Sequence, residues 1–145
     1  MLSTIYGGRS EGKMETLAGI TLYEPNKHRL QENISAIYLQ VDKIICVDNG
    51  SKNIKEIKEI IEKKYPQVEV IENGENLGVA KALNQIFEYA KKNNYKWVLS
   101  LDQDSVCPSN LMEEYQKYLG IPEVGILSPK IVDRNFVKAT DAEAE

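Results

Sequence analysis

The sequence predicts an α/β fold in which a mostly parallel sheet is covered by helices on both faces. Short apolar runs recur along the chain, and the longer segments between them carry apolar residues at helical spacing. Strands that alternate with helices form parallel sheets through right-handed crossovers. The 145 residues are enough for one domain with a sizeable core. We therefore expect a three-layer α/β/α architecture.

The predicted strands are apolar runs, several of them rich in β-branched residues, that end at polar turns. They cover residues 16–22, 43–47, 67–71, 97–101 and 124–127. A doubly wound order of 3-2-1-4 for the first four strands would bring their carboxyl ends to one edge of the sheet. Ligands bind at that edge in open α/β sheets, so the polar turns after these strands become the candidate site.

Four helices are predicted from apolar residues that recur at helical spacing between these strands. Their stripes are Leu30, Ile34, Ile37 and Val41; Ile54, Ile57, Ile60 and Ile61; Leu83, Ile86, Phe87 and Ala90; and Leu111, Tyr115, Tyr118 and Leu119. The third helix is predicted over residues 80–92, with Asn84 on its buried side. His28 begins a polar helix and is expected at the surface.

The two ends of the chain differ from the segment between them. Residues 1–15 are expected to form a flexible leader, because three glycines and no periodicity mark its first thirteen residues. Residues 138–145 contain little apolar content and are expected to form a frayed tail. The folded domain is therefore predicted over residues 16–137.

Composition excludes several classes of protein. With 22 acidic and 18 basic residues, the chain has no broad positive surface for nucleic acid. Cys46 and Cys107 form no disulfide framework or metal spacing, which favours a reducing compartment. No segment has the apolar length of a transmembrane helix, and no signal peptide is recognisable. We expect a cytoplasmic protein, able to act peripherally at the inner face of the membrane.

An acidic pair, Asp102 and Asp104, follows the apolar strand at residues 97–101. A carboxylate removed from water needs a cation or several donors to compensate its charge. Mg²⁺ and Mn²⁺ take oxygen ligands, usually one or two carboxylates and the phosphates of a substrate. The pair therefore indicates a divalent metal and a phosphate-bearing ligand. The alternative is a polar turn in which Asp104 or Ser105 satisfies backbone donors.

Four short motifs follow predicted strands or open a predicted helix. They are Ile20-Thr21-Leu22-Tyr23, Val47-Asp48-Asn49-Gly50-Ser51, Asn76-Leu77-Gly78-Val79-Ala80-Lys81-Ala82-Leu83-Asn84 and Leu101-Asp102-Gln103-Asp104-Ser105. With these motifs, residues 17–131 resemble the nucleotide-sugar-binding half of family 2 glycosyltransferases, which have the GT-A fold. The Asp-Gln-Asp-Ser form is similar to that of rhamnosyltransferases of this family, which use dTDP-rhamnose.

The resemblance implies a donor site and a metal site. Asp104 would be the direct ligand of Mn²⁺ or Mg²⁺, with Asp102 nearer the ribose or bound to the metal through water. The residues implied in nucleotide binding are Thr21, Tyr23, Glu24, Asp48, Asn49, Gly78, Lys81 and Asp102. Glu24 departs from the asparagine that the family most often has at that position.

Several of these residues have a second interpretation. Asp48 would accept a hydrogen bond from N3–H of uracil or thymine, or it forms an Asx turn with Gly50. Tyr23 packs on the base or is a rim aromatic. Gly78 directs a helix N-terminus at the donor's phosphates or sugar, or it is a turn glycine. Lys81 neutralises phosphate or lies in solvent.

The functional prediction is a donor-binding module of a truncated GT-A domain. It would bind dTDP-rhamnose or a UDP-sugar, and its parent enzyme would transfer the sugar to a polysaccharide or glycolipid acceptor. In this family the catalytic base is a carboxylate in the second, acceptor-binding half of the domain. The acidic residues near the end of this chain match no family motif for that base; they are Asp133, Asp141, Glu143 and Glu145. We therefore expect this chain alone to be inactive. The alternative is a non-catalytic nucleotide-sugar-binding module or an incomplete remnant.

A third class of protein, the response-regulator domain, also places acids after parallel strands. It would require a phosphoacceptor aspartate after the third strand, where this chain has Ile71-Glu72-Asn73. This class is therefore disfavoured.

Overall fold

The computed structural model describes residues 3–7 and 15–128, which form a six-stranded sheet flanked by four helices. The strands are β1 (Ser3–Gly7), β2 (Thr16–Leu22), β3 (Lys43–Asp48), β4 (Val68–Glu72), β5 (Trp97–Asp102) and β6 (Ile126–Leu127). The helices are α1 (Lys27–Ile37), α2 (Ile54–Lys64), α3 (Val79–Lys92) and α4 (Leu111–Leu119).

The sheet has the order β4-β3-β2-β5-β1-β6, and its first four strands are parallel. These four are the predicted strands in the predicted 3-2-1-4 order, so the expected architecture is confirmed. Leu22 pairs with Asp48 and Thr21 pairs with Asp102, which brings the carboxyl ends of β2, β3 and β5 together.

The structure differs from the expected flexible leader at residues 3–7. These residues form β1, which lies antiparallel between β5 and β6. Ile5 is fully buried there and joins the apolar core. The sequence gives only a short apolar run to indicate this strand, because Ile5 lies between Thr4 and Tyr6 and is followed closely by glycines. The predicted tail at 138–145, and residues 129–137 of the predicted domain, lie outside the described residues.

Two apolar clusters cover the two faces of the sheet. On one face, α1, α2 and α4 pack on alternate residues of the strands, such as Ala18 and Ile20. On the other face, α3 packs on Leu17, Ile45, Val47 and Val98. The alternation follows from the period of two along a strand. None of the helices in these described ranges is long and apolar enough to cross a bilayer.

Helix α3 lies very close to β2. A Cβ on Gly19 would lie 2.5 Å from Cγ2 of Ile86, so only glycine permits this approach. The buried stripe of α3 consists of Ala82, Ile86 and Ala90, with Ala82 in the place predicted for Leu83. Asn84 is exposed, so its predicted position on the buried side is wrong.

Candidate functional site

A cleft opens where β2, β3 and β5 end and α3 begins. Its empty volume is about 580 Å³, part of it open to solvent. The described residues that line it are Thr21, Leu22, Tyr23, Asn49, Val79, Asp102, Gln103 and Asp104. Because four separate elements contribute to this wall, the cleft is the convergence of strand ends that the fold predicts.

The acidic pair lies on the cleft wall. Asp102 ends β5, and Asp104 lies in the turn that follows. Burial raises the pKa of the Asp102 carboxyl above its ordinary value, and the neighbouring Asp104 carboxylate raises that pKa further. The charge of Asp104 therefore disfavours the ionised form of Asp102 in the absence of a cation. This is the electrostatic setting that a divalent cation would relieve.

The backbone under the acidic pair is held from the protein interior. Asn33 of α1 is fully buried, and its Nδ2 donates a hydrogen bond to the carbonyl oxygen of Asp102. The carbonyl of Asp102 also accepts the N–H of Ser105 at 3.4 Å. The turn that carries Asp104 is thus fixed to α1 by a polar side chain in an otherwise apolar stripe.

Gln103, between the two aspartates, bridges to the end of β2. Its Oε1 accepts the backbone N–H of Tyr23 at 2.9 Å, and its Nε2 donates to the carbonyl of Tyr23 at 3.0 Å. The ring of Tyr23 remains exposed at the cleft, with 53% of the residue accessible. One carboxamide therefore connects the tyrosine to the acidic turn.

Glu24 lies beside the cleft but does not line it. Its backbone has φ of 44°, its N–H donates to Ser51 Oγ at 2.8 Å, and its Oε1 accepts the N–H of Lys52 at 2.8 Å. The carboxylate thus connects the turn after β2 to the turn after β3. One oxygen of this carboxylate is thus engaged in structure, and the contact of Glu24 with a nucleotide stays a prediction.

Asp48 forms the Asx turn that was the second interpretation of this residue. Its Oδ2 accepts the N–H groups of Gly50 and Ser51, both at 3.0 Å. Asp48 is only 1% exposed and is not part of the cleft wall, while its Oδ1 is buried and has no hydrogen-bond partner. A buried carboxylate oxygen without a donor is costly, so this atom has an unused acceptor capacity, in the residue that precedes Asn49 of the cleft wall.

Asn49 follows Asp48 and does line the cleft, but its side chain is engaged in structure. Its Nδ2 donates to the carbonyl of Gly78 at 3.2 Å, and its Oδ1 accepts from Nδ2 of Asn73 at 2.9 Å. The side chain therefore fixes the start of α3 against the end of β3. This is a structural role that the sequence prediction of nucleotide contact did not include.

Gly78 precedes α3 with φ of 88°, a conformation that requires glycine. Its N–H donates to Oδ1 of Asn76 at 2.9 Å, and the next residue, Val79, lines the cleft. The start of α3 therefore borders the cleft, as the motif predicts, and it carries no side-chain cap. Lys81 is exposed and does not line the cleft.

His28, which the sequence predicts at the surface, is exposed in the structure. Its side chain is 83% exposed and lies 2.9 Å from Oε1 of Glu32 in the same helix. It takes no part in the cleft.

Comparison with known families identifies the family of this chain. The model of the family described as "Glycosyl transferase family 2" matches residues 20–144, which include all the described residues that line the cleft. The chain belongs to glycosyl transferase family 2. The predicted family is therefore confirmed, whereas the match does not distinguish rhamnosyl transfer from that of other sugars.

A solved structure supports the fold of this family 2 chain. It is the crystal structure of 4-diphosphocytidyl-2C-methyl-D-erythritol synthase, with 17% identity and a TM-score of 0.60. The alignment covers 77% of this chain and 56% of that one, so the chain spans just over half of that structure's length. At this identity the likeness shows the α/β fold alone. The search of curated proteins gave no significant match.

Sequence reasoning missed the side chains that support the family 2 cleft. Gln103 was seen only as the middle of a motif, and Asn33 was not singled out. Asn33 had a usable signal, because it is a polar residue in the helical stripe of Leu30 and Ile34. Gln103 had none, because its partner is 80 residues away along the chain.

The groups that the cleft wall offers to a metal are carboxylates. In residues 3–7 and 15–128, no group of three or more His, Cys, Asp or Glu side chains could hold a metal ion. Asp102 and Asp104 supply two carboxylates, and no lysine or arginine is among the described residues of the wall. Two carboxylates fit a hard cation whose other ligands are phosphates and water.

Proposed function

We propose that the cleft binds a nucleotide-diphospho-sugar through a divalent metal, Mn²⁺ or Mg²⁺. The observation that carries the proposal is the acidic pair on a wall whose described residues include no positive side chain. A diphosphate carries negative charge and would be repelled by Asp102 and Asp104 without a cation between them. A bound divalent cation would stabilise the departing diphosphate as a Lewis acid.

The nucleoside would lie on the β3 side of the cleft. The unpartnered Oδ1 of Asp48 provides an acceptor for a base that carries an N3–H donor. Reaching it requires the base to enter beside Asn49, since Asp48 itself is 1% exposed. The exposed ring of Tyr23 provides a surface on which a base can stack. We therefore propose a pyrimidine donor, dTDP-rhamnose or a UDP-sugar, in keeping with the likeness to rhamnosyltransferases.

The acceptor and the catalytic base are proposed to belong to the parent enzyme. Inverting transfer needs a base within hydrogen-bond reach of the acceptor hydroxyl. Among the described residues of the wall, the carboxylates are Asp102 and Asp104, which the proposal assigns to the metal and the donor. The parent enzyme would supply a further carboxylate and act on a polysaccharide or glycolipid acceptor, in the cytoplasm or at the inner face of the membrane.

The acidic pair on the cleft wall also supports a second candidate function, a nucleotide-sugar-binding module without transfer activity. Both candidates require the donor site, and they differ in the presence of a base over the sugar. An acceptor assay on the parent enzyme distinguishes them, because only the first gives a glycosylated product.

The test of the donor site is calorimetry with UDP and dTDP in the presence and absence of Mn²⁺. We expect binding that depends on Mn²⁺, and we expect Asp104→Ala to abolish that dependence while leaving the fold intact. The matched control is Glu88→Ala, which removes an exposed carboxylate of α3 outside the cleft wall.

The control should bind like the wild-type chain. If Asp104→Ala retains the full dependence on Mn²⁺, the metal assignment is wrong. If the wild-type chain binds neither nucleotide, the donor site is wrong.

A further inference from the structure

Gln103 connects two parts of the proposed donor site that lie on different strands. Its two hydrogen bonds to the backbone of Tyr23 join the turn after β5 to the end of β2. The first part is the ring of Tyr23, which would contact the nucleoside. The second part is Asp102 with Asp104, which would bind the metal and, through it, the diphosphate.

We infer that Gln103 is a positioning residue, which fixes the distance between the nucleoside surface and the metal ligands. The inference rests on the proposed function, because it concerns how one nucleotide would contact both parts at once. Gln103 would act through Tyr23 and the two aspartates, without contacting the donor itself.

The carboxamide is the side-chain group that suits this position. It donates one hydrogen bond and accepts another in the same plane, which matches the N–H and carbonyl of a single residue. A glutamate would keep the acceptor but place a carboxylate oxygen against the carbonyl of Tyr23. It would also add a third negative charge beside Asp102 and Asp104.

The ladder between β2 and β5 pairs Thr21 with Asp102, and beyond it Gln103 connects Tyr23 to the acidic turn. Asn33 of α1 donates a hydrogen bond to the carbonyl of Asp102 in the acidic turn. Ser51 and Lys52, in the turn after β3, form hydrogen bonds with Glu24, the neighbour of Tyr23. Neither set joins Tyr23 to the acidic pair directly. Past the last pair of that ladder, the position of the Tyr23 ring relative to the acidic pair therefore depends on the two hydrogen bonds made by Gln103.

The consequence is a selective effect on ligands that contact both parts. Fixing two contacts in advance removes an ordering cost only for a ligand that uses both. A nucleoside diphosphate with Mn²⁺ uses both parts. Uridine uses the nucleoside surface, and pyrophosphate with Mn²⁺ uses the acidic pair.

The experiment compares Gln103→Met with the wild-type chain for these three ligands. Methionine preserves length and removes both hydrogen bonds. We expect the Kd of UDP with Mn²⁺ to rise about tenfold, and those of uridine and of Mn²⁺-pyrophosphate to stay within about twofold.

Gln40→Met is the matched control. Gln40 also bridges backbone groups, since its Nε2 donates to the carbonyl of Pro108 at 2.9 Å and its Oε1 accepts the N–H of Met112 at 3.0 Å. It joins the turn after α1 to the start of α4 and does not line the cleft. Its loss should leave all three Kd values unchanged.

Amide hydrogen exchange tests the connection without a ligand. The N–H of Tyr23 should exchange faster in Gln103→Met than in the wild-type chain, because it loses its acceptor. Equal weakening of all three ligands in Gln103→Met would indicate a general structural effect and overturn the inference. Unchanged binding of UDP with Mn²⁺ would also overturn it, whereas absence of UDP binding by the wild-type chain would overturn the proposed function as well.

Discussion

Asp48 offers a perturbation that separates the stability of the fold from recognition of the base. Its Oδ2 closes a turn and its Oδ1 is unpartnered. Asp48→Asn keeps an oxygen for the turn and replaces the free acceptor by an amino group. Asp48→Ala removes both. The two variants should therefore differ in stability and agree in loss of base recognition.

The expected stability changes follow from the hydrogen bonds. Asp48→Ala leaves the N–H groups of Gly50 and Ser51 without their acceptor, at a cost of about 2–4 kcal/mol in the free energy of unfolding. For a chain of 145 residues this is a fall in Tm of roughly 7–13 °C. Asp48→Asn should lose much less, which thermal unfolding measures directly.

Recognition of the base should fall in both variants. A hydrogen bond to a charged group contributes about 1.5–3 kcal/mol, so UDP or dTDP should bind roughly 10–150-fold more weakly. The wild-type chain should prefer these nucleotides to ADP and GDP in competition, and Asp48→Asn should lose the preference. Asp42→Asn is the control, because Asp42 also accepts a backbone N–H, that of Thr16, outside the cleft. Equal binding of purine and pyrimidine diphosphates by the wild-type chain would refute the reasoning.

Three further predictions concern packing, thiol chemistry and activity. Gly19→Ala should destabilise the chain by about 1–3 kcal/mol, because the new methyl group meets Ile86, and Ile86→Val should relieve part of this loss in thermal unfolding of the double variant. Burial and the nearby Asp48 raise the pKa of Cys46 to about 12, and burial raises that of Cys107, so neither thiol should react with a disulfide reagent at pH 8 until the chain is unfolded. Since the unfolded thiol ionises first, stability should fall as the pH rises above 9 towards 12, and Cys46→Ala should lessen that fall; rapid labelling of the native chain would contradict the assignment. Incubation of this chain with dTDP- and UDP-sugars, Mn²⁺ and candidate acceptors should give no transfer product, and robust turnover would show that a base has been missed.

The parallel part of the fold was predictable because its signals are local. Each buried strand is a short apolar run, and each helix has an apolar stripe, so β2 was predicted with its observed bounds, Thr16–Leu22. The 3-2-1-4 order followed from the rules for parallel strands. β1 could not be predicted in the same way, because its position depends on antiparallel pairing with β5, 90 or more residues away along the chain.

The candidate site was predictable in its positions and less so in its contacts. The motifs placed Thr21, Tyr23, Asp102 and Asp104 on one wall, where the structure also has them. Glu24 and Asn49 have side chains engaged with backbone groups of neighbouring turns, which a motif cannot reveal. A residue type at the right spacing indicates a location, whereas its hydrogen-bond partners depend on the packing of distant segments.

The central claim is that a cation joins the acidic pair to the diphosphate of the donor. Pulsed electron paramagnetic resonance of Mn²⁺ bound to the chain with UDP or dTDP measures the hyperfine coupling of the metal to the phosphorus nuclei. We predict the strong coupling of directly coordinated phosphate in the wild-type chain, and its loss from the protein-bound complex in Asp104→Ala. Mn²⁺ and nucleotide bound to the wild-type chain with no phosphorus coupling would contradict the claim.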